Sequence, residues 1–203
     1  MKVTDIFDYM RELFGDEPAV ELNYKSDVDL LVAIILSAQC TDVRVNKVTK
    51  ELFKKYRTIE DYANAKQEEL EQEIHSCGFY RNKARNIINM AKGGVIPADI
   101  DELIKLPGVG RKTASVFLAE YYKKPAIAVD THVIRVSNRL GLTKSKNPNI
   151  IERDLKKLIE KKDWRLVNLY LVLFGRYYCK AKKPQCDSCK LRESCGMINN
   201  VPR

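Results

Sequence analysis

Apolar residues recur at intervals of three and four along most of the 203-residue chain, the spacing that lines one face of a helix. A nearly unbroken apolar run over residues 27–38 predicts a helix buried on all sides. Amphipathic spacing predicts further helices over 42–56, 67–75, 81–91, 101–105, 111–122, 131–140, 150–161 and 165–178. Gly78, Gly93-Gly94, Pro107-Gly108 and Gly141 mark breaks between them. Residues favouring strands gather only at 127–129, a stretch too short to be more than a connector. The pattern predicts an all-α protein with short connections, and neither repeats nor low-complexity tracts interrupt it.

Composition narrows the class. With 31% charged and 45% hydrophobic residues, 9 Gly and 7 Pro, the chain has the balance of a globular protein large enough to bury a core. No run of about 18 apolar residues occurs, and the start, MKVTDIFDYM, lacks the basic and apolar regions of a signal peptide. A cytoplasmic protein is expected, without a membrane partner. Lys and Arg exceed the acids by 36 to 27, giving +9, which favours a polyanionic partner. Residues 76–98, 103–119, 131–151 and 164–186 contain no Asp or Glu. They hold Arg81, Lys83, Arg85, Arg111, Lys112, Arg135, Arg139, Lys180, Lys182 and Lys183, so these windows predict one basic surface. Glu68, Glu69, Glu71 and Glu73 would repel phosphate and are expected to point elsewhere.

The segment Leu106-Pro107-Gly108-Val109-Gly110-Arg111-Lys112-Thr113 falls between two helices. Pro107 ends the first, the glycines permit close backbone approach, and the second helix aims its free N–H groups at the loop. Such a hairpin suits a phosphate, held by the amides of Gly108, Val109, Gly110 and Arg111; a plain helix–helix turn is the alternative. Lys112 stands in the first helical turn, where the dipole opposes positive charge, and a neutral amine can form a Schiff base. Solvated surface lysines are also common. Asp130 is the only carboxylate from residue 121 to 151. It suits a helix N-cap, and a rigid carboxylate there could also act as a base or steady a developing cation.

Of six cysteines, Cys179, Cys186, Cys189 and Cys195 lie within 17 residues, spaced C-x6-C-x2-C-x5-C. Four thiolates this close point to a metal, either an iron–sulfur cluster or zinc. The intervening loop would then present Lys180, Lys182 and Lys183 from a pinned base. Cys40 and Cys77 are expected to be packing residues.

Leu106 to Thr113, Val129-Asp130-Thr131-His132, the four-cysteine spacing and Leu36-Ser37-Ala38-Gln39-Cys40-Thr41-Asp42 together resemble the endonuclease III family of helix-hairpin-helix DNA glycosylases. The likeness runs from about residue 27 to residue 195. It implies a six-helix domain at residues 20–130, a second domain of residues 1–19 plus 131–203 carrying a [4Fe-4S] cluster on the four cysteines, and an active site in the cleft between them. It further implies a monomer, associated with the nucleoid if prokaryotic, that excises oxidised or ring-saturated pyrimidines from damaged double-stranded DNA and cleaves 3′ to the abasic site. On this pattern Lys112 attacks C1′ of the extruded nucleotide, while Asp130 helps activate it. Gln39 matches the family glutamine that enters the gap left by the base. Phe79 falls where the family has an aliphatic wedge, a departure from the pattern; as an aromatic it is suited either to unstacking a base step or to core packing. His132 is expected to hydrogen-bond toward Asp42 or Asp130, and no second ligand nearby makes a metal site of it.

Three other functions compete. A monofunctional adenine or mismatch glycosylase would do without the lysine, a noncatalytic DNA-binding module would use only the hairpin and the basic face, and an electron-transfer protein would need neither.

Overall fold

The computed structural model describes residues 3–199. Among these the chain forms twelve α-helices joined by short turns and 3-10 segments, with no strand. It divides into two compact units, one of residues 21–122 and one of residues 1–20 with 123–203.

In the first unit the apolar run becomes α2 (Asp27–Ser37), with every residue from Val28 to Leu36 buried. Ser26 starts it, its hydroxyl accepting from the Asp29 amide at 3.1 Å, and satisfies one of the amides a helix start leaves over. Around it pack α3 (Asp42–Lys55), α6 (Tyr80–Ala91) and α8 (Arg111–Glu120). Two short helices, α4 (Ile59–Ala63) and α5 (Gln67–Ile74), pack on α6. The acidic residues of α5 face solvent, with Lys55 bridging Glu73 at 2.6 Å and Glu69 at 3.3 Å. A further short helix, α7 (Ile100–Leu103), precedes the hairpin and packs on α8.

In the second unit, α11 (Trp164–Tyr177) packs against α1 (Val3–Phe14) and α9 (Thr131–Arg139). Edge-to-face pairs Phe7–Tyr170 at 5.8 Å and Tyr9–Phe174 at 6.1 Å join α1 to α11, an arrangement favoured by ring quadrupoles. Two further helices, α10 (Pro148–Leu158) and α12 (Gly196–Asn199), pack on α9. Pro148, a breaker in sequence, is the first residue of α10, where its missing N–H costs nothing.

Three helices lie outside the segments that periodicity marked: the amphipathic α1 and the short α4 and α12. Residues 123–130, expected with the six-helix domain, fall in the second unit. Ile127 sits in that unit's core, and the Asn168 side chain donates to the Ala128 carbonyl at 2.9 Å.

Candidate active site and metal centre

The hairpin is built against α6. Gly108 has φ +79°, and a Cβ there would come within 2.9 Å of the Asn86 Cβ. Glycine is required on both counts, backbone conformation and space. The Val109 amide closes the turn by donating to the Leu106 carbonyl at 3.1 Å, and its side chain is only 4% exposed. Val109 therefore anchors the loop from inside, and its amide closes the turn. Gly108 and Gly110 remain on the outer surface, with Arg111 and Lys112 exposed in the first turn of α8.

Gln39 and Phe79 belong to the same unit. Both adopt left-handed backbone, φ +56° and +49°, a conformation that costs a residue with a Cβ roughly 1–2 kcal/mol. Gln39 is exposed. Phe79 is 64% exposed, which excludes the core-packing alternative. It is the residue immediately before α6, whose N-terminus carries no side-chain cap.

One residue expected on the basic surface, Lys83, is instead buried between these two turns. Lys83, on α6, is only 5% exposed, and its ammonium donates to the carbonyls of Leu36, Ala38 and Cys77, each at 2.8 Å. Burial lowers its pKa, with the Cys77 and Cys40 thiols opposing the fall. Cys77 is itself buried, and its pKa is pushed up to about 11 by desolvation and by Cys40. Both thiols pack in this knot, as expected. The signal for Lys83 was present in the sequence. It lies on the stripe formed by Ala84, Ile87, Ile88 and Ala91, where an amphipathic helix calls for an apolar residue.

In the second unit Asp130 is the N-cap of α9, accepting from the Val133 amide at 2.9 Å, and is half-buried. The His132 Nδ1 lies 3.1 Å from the Arg135 guanidinium. A guanidinium can only donate, so Nδ1 accepts and the ring is neutral. Burial holds the His132 pKa below its ordinary value; Asp130 opposes this, while Arg135 and Arg176 add to it.

Cys179, Cys186, Cys189 and Cys195 line one half-open, largely apolar pocket together with Leu140, Phe174 and Tyr178. Its lining holds no carboxylate or imidazole. No three His, Cys, Asp or Glu side chains among the described residues form a ready single-ion site. The Arg139 guanidinium donates to the Cys179 sulfur at 3.4 Å and to the Lys180 and Ala181 carbonyls at 2.7 and 3.2 Å. The Gln185 amide donates to the Tyr178 carbonyl at 3.0 Å. Between these anchors Lys182 and Lys183 stand exposed, Lys183 at φ +52°. Arg139, seen in the sequence only as one more basic residue, is the side chain that holds this loop.

A helix–glycine hairpin–helix bearing a first-turn lysine, in an all-α protein with a four-cysteine pocket, defines a class of DNA-repair fold. The model of the HhH-GPD superfamily of base excision DNA repair proteins matches residues 32–161. Endonuclease III of Bacillus subtilis is 50% identical over 86% of this chain and 83% of its own. That of Rickettsia conorii is 47% identical over 91% and 90%. The solved structure of a trapped endonuclease III–DNA covalent intermediate matches with a TM-score of 0.91 and 48% identity, covering 97% of this chain and 95% of that one. The chain belongs to the endonuclease III family of the HhH-GPD superfamily. A thermostable thymine-DNA glycosylase, at TM-score 0.85 and 22% identity, shares the fold.

Two outcomes follow. Gly108→Ala should lower the urea midpoint of unfolding, because the left-handed strain, of order 1–3 kcal/mol, remains even when Asn86→Ala relieves the crowding. Burial makes the folded His132 ring take up a proton less readily than the unfolded one, which titrates at about pH 6.5. Stability is therefore highest above that pH and falls on acidification. The midpoint of the native protein should drop more between pH 7.5 and 5.5 than that of His132→Asn.

Proposed function

We infer that this protein is a bifunctional DNA glycosylase and abasic-site lyase of base excision repair, acting on oxidised or ring-saturated pyrimidines in duplex DNA. The observation that carries the reading is Lys112, exposed in the first turn of α8 beside a hairpin whose Gly108 cannot be replaced without collision and strain. The likeness to a trapped covalent endonuclease III–DNA intermediate supports it.

The target nucleotide must leave the stack, because C1′ is shielded inside a duplex. Gly108, Gly110 and Arg111 hold a phosphate at the helix N-terminus, Gln39 fills the gap in the stack, and Phe79 holds the step open as an apolar wedge. Lys182 and Lys183 add backbone contacts from their anchored loop. The neutral Lys112 amine attacks C1′, and the glycosidic electron pair leaves with the base, which takes up a proton. The sugar ring opens to an imine between C1′ and Nζ. Loss of the C2′ proton then expels the 3′ phosphate by β-elimination, and water releases the lysine. Asp130, fixed by capping α9, steadies the positive charge as the base departs and accepts the lysine proton.

The four cysteines would hold a [4Fe-4S] cluster, since an all-thiolate pocket suits soft iron–sulfur ligation. With all four ligand positions taken by Cys179, Cys186, Cys189 and Cys195, these residues would be pinned at the base of the lysine loop, and the elimination would be left to Lys112.

Borohydride should trap the native protein covalently on abasic DNA and leave Lys112→Gln untrapped. A monofunctional glycosylase or a noncatalytic module would give no adduct from either. The purified protein should be brown, with about four iron and four sulfide per chain. Cys189→Ser should lose most of the iron, and colourless protein with one zinc would overturn the assignment.

A further inference from the structure

The Lys83 ammonium has three protons and three carbonyl partners, and none of the partners is a carboxylate. Two of those carbonyls, Leu36 and Ala38, belong to the end of α2, where a helix leaves acceptors that a buried terminus cannot offer to water. The third, Cys77, closes the 3-10 turn (His75–Cys77) before Gly78. Gln39 follows Ala38 directly, and Phe79 lies two residues beyond Cys77. The Lys83 amide also donates to the Phe79 carbonyl at 3.1 Å. One buried side chain therefore fixes the takeoff points of two exposed, left-handed residues far apart in sequence.

We propose that Lys83 is a positioning residue for base extrusion: its ammonium ties the Gln39 turn and the Phe79 loop into a single rigid pair of prongs that enters the stack together. This rests on the proposed roles of Gln39 and Phe79 as stack-filling and stack-opening residues. Neither residue could hold its conformation alone, since left-handed backbone is unfavourable for both. Without the shared ammonium, each loop would relax separately while Lys112, on a different helix, kept its place on α8. Lys83 therefore acts on opening the duplex, not on the chemistry at C1′.

The test separates these steps. Excision of thymine glycol from duplex DNA needs extrusion, whereas cleavage of an abasic site in a single-stranded oligonucleotide does not. A 2-aminopurine beside the lesion reports unstacking directly. Lys83→Met should slow both duplex excision and the fluorescence rise by about tenfold or more, and leave single-stranded cleavage and borohydride trapping within about twofold. In double-mutant cycles with Gln39→Ala and Phe79→Ala, the effect of Lys83→Met should shrink, because the prongs it positions are already gone. Should Lys83→Met not accumulate in folded form, Lys83→Arg takes its place, since a planar fork cannot serve three carbonyls gathered round one ammonium. Equal losses on both substrates would overturn the proposal, as would independent effects in the cycles. A native protein inactive on both substrates would instead overturn the enzymatic reading on which the proposal rests.

Discussion

The outward surfaces of residues 21–122 depend on how α2 ends. A helix buried on every side gains its stability from apolar burial but leaves its last carbonyls where water cannot satisfy them. Lys83 supplies the missing donors from α6. One turn further along that helix, Asn86 forms the floor beneath Gly108, so the Gln39 turn, the Phe79 loop and the glycine hairpin all take their positions from α6. What would touch DNA is soft loop; what sets its shape is a helix packed on the core.

The second unit applies the same logic to a different problem. Its cysteine-rich segment has little regular structure, yet Arg139 grips the Lys180 and Ala181 carbonyls while touching the Cys179 sulfur, and Arg135 donates to the Cys179 carbonyl at 3.3 Å. Both arginines stand on α9, the helix capped by Asp130. Gly175 leaves room for them: a Cβ there would come within 3.0 Å of both the Arg135 guanidinium and the His132 ring. Helix α9 thus links the carboxylate at its start to the thiol loop near its end.

Much of this was legible in the sequence because it is local. Periodicity gave most helices to within a few residues, and the hairpin turn lies where Pro107 and the glycines placed it; the cysteine spacing pointed to a metal, while the catalytic roles of Lys112 and Asp130 came only with the family resemblance. The inward turn of the Val109 side chain was not legible, because the direction of a loop side chain depends on the fold around it. Lys83 and Arg139 were visible only as charge, since all but one of their acceptors, the Cys77 carbonyl, are main-chain carbonyls contributed by residues about 40 to 47 positions away. A carbonyl has no sequence signature, so such partnerships emerge only once the chain is folded.

The choice of carbonyls over carboxylates for Lys83 bears on behaviour in salt. Contacts between surface cations and phosphates weaken steeply as counterions compete, whereas a buried ammonium bonded to amide oxygens is shielded from mobile ions. Grip and shape are therefore carried by separate sets of charges. Rising ionic strength would loosen the protein's hold on a duplex while the prongs kept their form, so a molecule sliding along the backbone could let go and rebind without rebuilding its reading head.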